Sequence, residues 1–225
     1  MFSYKNLRVC SVAIPLLAAG CADGTGPTTG TVNVMMQQSS AVALAANPGP
    51  SFVTASPMSA VAPDQVTSLV LIIEEVQFLP VVEDTVEGQE PEEAAWVSVA
   101  ASDLTIDLMA LPTDAETPQQ VAVGELPVGA YSGVRFVVTS ATIVFSSTLT
   151  VGNTQFVADA EHAVKVPSGV IKTDLALDVV AGEGEGQENT ASLLFGPDAS
   201  FQNLTATGNG QVILNPVLKA KLPPE

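Results

Sequence analysis

From residue 30 to residue 220 the apolar residues fall in short alternating runs, and Gly or Pro punctuates most of the gaps between them. This pattern limits the fold more than any other feature. Successive side chains of a strand point to opposite faces, so a period of two buries one face, whereas a helix needs a period near 3.6. Gly30–Gln37, Leu104–Leu108, Gln120–Leu126 and Ser132–Ser140 alternate in this way, with Leu104, Ile106 and Leu108 directed inward. Ser68–Ile73 is apolar on both faces, which predicts a central buried strand within Val66–Leu79; Glu74 and Glu75 break the run before Val76 and Phe78 resume it. Trp96–Val99, Ala141–Phe145, Thr148–Val151, His162–Val166, Val170–Val180, Ser192–Phe195 and Gln211–Ala220 complete the expected strands. Gly152 and Asn153 mark a hairpin before Thr154–Ala158. Aromatic residues make up only 5% of the chain, so strands packed on small and β-branched side chains are expected. The expected fold is all-β, an immunoglobulin-like or transthyretin-like sandwich.

The first 21 residues read differently. Lys5 and Arg8 precede an apolar run from Val9 to Ala19, which is too short for a spanning helix and is interrupted by Pro15. This is the pattern of a secretory signal peptide over residues 1–20. Small residues then lead to Cys21, and the stretch from Leu17 to Cys21 looks like a bacterial lipobox, with Leu one place earlier than in its common form. The lipobox implies an acylated Cys21 and a lipid bilayer as partner, since two or more acyl chains anchor stably. Ala22 follows Cys21 instead of Asp, which implies the outer membrane. Cys10 would leave with the leader, so Cys21 is the sole thiol of the mature chain; an intramolecular disulfide and Cys-rich zinc sites are excluded.

Residues 21–29 form a polar, Gly/Pro-bearing tether, and 30–222 one domain. Within it, about 38–65 is a low-complexity Ala/Ser/Pro insertion, read as a long loop with a short helix over Ser40–Ala46. Carboxylates crowd two further loops, Glu83–Glu93 and Glu183–Glu188. With 24 acidic against 7 basic residues, two of the latter in the leader, the field repels phosphate backbones and excludes nucleic acid as a partner.

Pro127, Gly129 and Tyr131 form a Pro-x-Gly-x-Tyr turn, followed by Arg135 and Phe136. Before it come a Gly-led strand after the tether (Gly30–Met36), a Val-rich strand (Val70–Phe78), Trp96 and Leu104–Leu111. After it comes a closing strand, Gly210–Lys219. In this order of motifs, over roughly residues 30–220, the chain resembles the bacterial lipoprotein domains catalogued as domain of unknown function 4382. The resemblance implies fold and address and carries no assigned activity. Two segments depart from the family: Gln37–Ser40 replaces an Asp-Ala-Pro segment, and Leu194–Asp198 replaces an Asp-rich strand.

The candidate residues divide by role. Tyr131, next to Gly129 and Pro127, is expected to bond a nearby backbone group, as in the tyrosine corner of sandwiches. Trp96, the only Trp, is expected to pack in or beside the core, with an exposed sugar-stacking platform as the alternative. Arg135 is expected to pair with Asp107 or Asp178. His162, the only His, has no Cys beside it; a Ser-His-Asp site would need Ser168 and Asp159 to converge on it, and no nucleophile-elbow motif supports that. No catalytic residue and no cofactor are assigned. Glu183, Glu185 and Glu188 are weak calcium candidates, since they lack the Asp-x-Asp-x-Asp-Gly spacing. The expected function is a non-enzymatic binding or structural module of the cell envelope, its possible partner an envelope protein or glycan. The alternatives are a calcium-dependent adhesin or glycan-binding module, and a hydrolase using a carboxylate pair among Asp107, Asp174 and Asp178.

Overall fold

The computed structural model describes residues 28–39, 61–81, 96–113, 117–181 and 189–221. The leader, Cys21 and its tether up to residue 27, the helix expected over Ser40–Ala46 and the two acidic loops lie outside them. In chain order the elements are β1 (Thr29–Gln38), β2 (Val66–Pro80), β3 (Val97–Asp107), β4 (Gln119–Pro127), β5 (Gly129–Phe145), β6 (Leu149–Val151), β7 (Thr154–Phe156), β8 (Glu161–Lys165), β9 (Val170–Val179), β10 (Asn189–Phe195), α1 (Pro197–Phe201), β11 (Thr205–Ala206), β12 (Val212–Ile213) and β13 (Leu218–Ala220).

Two sheets face each other, the sandwich-like all-β fold that the period of two requires. The smaller has the order β13-β10-β1-β4, with β1 and β10 parallel. The larger has the order β11-β12-β8-β5-β2-β3, and β9 also pairs with β5. Strand β5 is 17 residues long, so one edge serves two neighbours: its first half pairs β9 and its second half pairs β8. The β6–β7 hairpin stands apart, turning at Gly152 with φ +60°.

Alternation fills the space between the sheets. Val32, Val34 and Met36 of β1 and Ala191, Leu193 and Phe195 of β10 meet Leu69, Leu71, Ile73, Val76 and Phe78 of β2 and Val134, Phe136, Ile143 and Phe145 of β5, all buried. Each such large side chain contributes about 1.5–3 kcal/mol on leaving water. In β2 the buried positions change from odd to even numbers after Ile73. The ladders to β3 and β5 both shift register between Ile73 and Glu75, and this irregularity absorbs the extra residue and returns Val76 and Phe78 to the core.

Several expectations need correction. Ser68–Ile73 is central, but only Leu69, Leu71 and Ile73 are buried; Val70 and Ile72, on the outer face, are half-buried, and no layer of the described residues seals that face. Trp96–Val99 and Leu104–Leu108 belong to one strand, β3, as Ser132–Ser140 and Ala141–Phe145 belong to β5. Gln211–Ala220 is two strands in different sheets: β12 pairs β8, the chain then crosses between layers, and β13 pairs β10. Pro216 has no N–H to continue a ladder there. Gln38 closes β1 instead of opening a loop, and residues 61–65 pack back, with Val61 buried and a 3-10 turn at Pro63–Gln65. Helix α1 was not expected; it is one turn, begun by Pro197.

Candidate functional site

The chain leaves β4 at Pro127 and enters β5 at Gly129, whose φ of +151° side chains rarely adopt. This turn aims Tyr131 into the core. Its hydroxyl donates to the Pro127 carbonyl at 2.8 Å, and its ring meets Phe78 edge-on, centroids 6.1 Å apart. One side chain thus ties the turn to the strand that follows. Burial raises the Tyr131 hydroxyl pKa above its ordinary value of 10.0.

On the outer face of the larger sheet, β3, β2, β5 and β9 set their side chains in rows. Gln77 of β2 stands opposite Arg135 of β5, which stands opposite Lys172 of β9. The Arg135 guanidinium lies 4.3 Å from the centroid of the Trp96 ring. Its Nε donates to Gln77 Oε1, and Gln77 Nε2 donates to Glu75 Oε2. Arg135 therefore does not pair with Asp107 or Asp178. Asp107 sits at the far end of β3, where it accepts from Ser68 Oγ and from the Leu69 and Met109 amides, ending the strand. Asp178 stands opposite Ala130, away from Arg135. Trp96 is half-buried with Arg135 over its ring, so that face is not free to stack on a sugar.

Beside this face an open groove of about 680 Å³ runs along β9, lined by Asp174–Asp178, Ala130–Ser132, Val81, Ala220 and Lys221. It brings together two of the three candidate carboxylates, Asp174 and Asp178, and leaves out Asp107. The two lie four residues apart on one strand, about 13 Å between Cα atoms at about 3.3 Å per residue. Carboxyl pairs of retaining glycosidases stand about 5 Å apart and those of inverting ones at most about 9.5 Å. The other hydrolytic constellation does not assemble either. His162 Nε2 contacts the Val157 carbonyl at 3.0 Å and its ring packs on Phe156 and Phe145, while Ser168 Oγ donates to its own loop at Val170. Among the described residues no three His, Cys, Asp or Glu side chains gather as a metal site. Glu183, Glu185 and Glu188 lie outside those residues.

Asn189 directly follows the acidic stretch Glu183–Glu188 in the sequence. It is the buried first residue of β10 and joins the layers: it donates to the carbonyls of Thr31 and Val180 and accepts from the Val180 amide. The signal was its parity, since 189 shares the inward face with Ala191, Leu193 and Phe195. Gln77, the link between Glu75 and Arg135, carried no signal in the linear pattern.

A family model described as Domain of unknown function (DUF4382) matches residues 29–216. No curated protein and no solved structure matches the chain significantly.

Proposed function

The chain belongs to the DUF4382 family, and from that premise we propose that it is a lipid-anchored cell-envelope protein whose β domain is a non-enzymatic binding or structural module. The observation that carries this reading is where the domain starts. β1 begins at Thr29, eight residues after Cys21, and enters the smaller sheet between β10 and β4. A tether from Cys21 to Thr28 reaches about 25 Å at most. An acylated Cys21 would therefore hold one end of the sandwich close to the bilayer.

That end is apolar where it receives the chain. The Val128 amide donates to the Thr28 carbonyl, the Val81 amide to the Ala130 carbonyl, and Val180 follows Val179, which stands opposite Gly129. Val81, Val128 and Val180 are 47%, 48% and 42% exposed, in keeping with an end that faces a lipid interface. Support for a non-enzymatic role comes from the candidate side chains: Asp174 and Asp178 stand far apart, Asp107 serves the backbone, and His162 packs on aromatic rings.

Mass spectrometry of the native amino terminus tests the anchor. The expected species begins at an acylated Cys21, and Cys21→Ser moves the protein from the membrane pellet to the soluble fraction. An unmodified terminus at another residue overturns the reading. A thermal shift on adding calcium, lost in Glu183→Gln/Glu185→Gln, would replace the structural role with a calcium-dependent one.

A further inference from the structure

With the domain read as the binding module proposed above, we propose that Arg135 and Lys172 bind the carboxylate of an acidic sugar within an otherwise neutral glycan, on the outer face of the larger sheet. Only five of the chain's 7 basic residues lie beyond residues 1–20, against 24 acidic ones. Two of those five, Arg135 of β5 and Lys172 of β9, stand directly opposite each other in the ladder and so share one face. Opposed residues of an antiparallel pair have Cα atoms about 4.5–5.5 Å apart, and like charges there repel. Among the described residues neither is paired with a carboxylate: Arg135 contacts the Trp96 ring and the Gln77 amide, both neutral, and Lys172 is exposed. Glu75 reaches Arg135 only through Gln77, and Asp174 stands opposite Gly133. An anion seated between the two cations turns one repulsion into two attractions.

Arg135 is held as such a site requires. Its guanidinium gives its flat face to the Trp96 ring, 4.3 Å from the centroid, and its Nε to Gln77 Oε1. Both Nη groups remain, in the plane whose fork matches a carboxylate. Stacking and the Gln77 bond fix the side chain in advance, so little freedom is lost on binding. Because Arg135 covers the ring, the sugar docks through its carboxylate and does not stack on Trp96. The rows around the pair are neutral and hydroxyl-bearing: Ser98 stands opposite Gln77, and Thr105 and Ser140 stand opposite Ile72, all three exposed. Hydroxyls donate and accept, as those of a sugar do. The net charge of −17 repels a polyanion, whereas a single carboxylate meets two cations locally.

Trp96 is the only Trp and touches Arg135, so its fluorescence reports the site directly. The full chain in nonionic detergent is titrated at constant ionic strength with methyl glucuronide, methyl glucoside, acetate and inorganic phosphate. Methyl glucuronide should change the emission with a Kd of about 1–10 mM; the neutral glucoside should leave it unchanged, and acetate and phosphate should act at least about tenfold more weakly. Arg135→Lys keeps the charge but loses the fork and should weaken methyl glucuronide about tenfold. Lys172→Gln, away from the ring, should weaken it about fivefold, as expected of an exposed ion pair. Far-UV circular dichroism verifies that each variant keeps its strands. No response to methyl glucuronide overturns the proposal, as does a response that both variants leave intact. An equal response to acetate or phosphate means an adventitious ion only and overturns it too. None of these outcomes alters the mass of the amino terminus, so failure here is distinct from failure of the anchor.

Discussion

Asn189 joins the two layers with three hydrogen bonds to backbone, from a position 6% exposed. Asn189→Ala leaves the Val180 amide and two carbonyls without their partner, and unpaired buried polar groups are costly. A loss of about 2–3 kcal/mol is expected in denaturant titration. Asn189→Asp keeps only the acceptor and sets a charge against two carbonyls, so its loss should be larger. Tyr131 makes a pH prediction. Its pKa is raised in the folded chain, so its stabilising contribution is intact below pH 10, where both states hold the proton. Above pH 10 the unfolded chain ionises first, and stability falls as pH rises toward the folded pKa. Thermal melts between pH 8 and 11.5 should show a steeper alkaline decline for the wild type than for Tyr131→Phe. Below pH 10 that variant should be about 1 kcal/mol less stable, having lost the bond to Pro127. Both roles have physical causes, but only that of Tyr131 was legible, because a Gly two residues ahead of a Tyr announces a turn. An Asn beside an acidic run looks like more loop.

Among the elements, β13 shows what three residues can do. It closes the edge of the smaller sheet on β10, and the strap leading to it is held at both ends: the Leu214 amide donates to the Lys165 carbonyl, and the Gly196 amide to the Val217 carbonyl. Ser200 Oγ accepts from the Val217 amide, tying the strap to α1. A chain ended after Pro216 would lose both bonds made by Val217, the ladder of β13 on β10 and the burial of Leu218. A fall of about 3 kcal/mol or more is expected in urea unfolding, from one leucine and several hydrogen bonds; an unchanged midpoint would show that β13 is ornamental. The closing run Gln211–Ala220 reads as one strand because its apolar residues carry no mark of which sheet each half joins. The crossing is decided by which edge lies free nearby: β8 for the first half and β10 for the second.

At the scale of the molecule, the full sequence has a formal charge of −17, and only 5 of its 7 basic residues lie beyond residues 1–20, so the body repels itself. Salt screens such repulsion, with a Debye length of about 10 Å at 0.1 M. The melting temperature should therefore rise between 20 and 200 mM NaCl at pH 7; a fall would mean that specific ion pairs outweigh the general repulsion. The same excess of carboxylates makes the few cations informative. Arg135 is held by Trp96 and Gln77, and Arg135→Ala should change the fluorescence of the only Trp by exposing its ring to water. The expectation that Arg135 pairs with Asp107 or Asp178 failed for a geometric reason: Asp107 is on β3, a strand removed from β5 by β2, and on the neighbouring strands register places Gln77 and Lys172, not Asp178, beside Arg135.

The linear order of residues determined strand character, the inward face of most strands, the hairpin at Gly152 and the Tyr131 turn. Each of these depends on side-chain period or on the backbone freedom of one residue, which are local properties. Folding in three dimensions decided which strands become neighbours, the parallel pairings of β1 with β10 and β8 with β12, the cover over Trp96 and the clasp at Asn189. Those are contacts between residues up to 158 positions apart. They depend on register and layer crossing, and the periodicity of a single strand is the same whichever neighbour it takes.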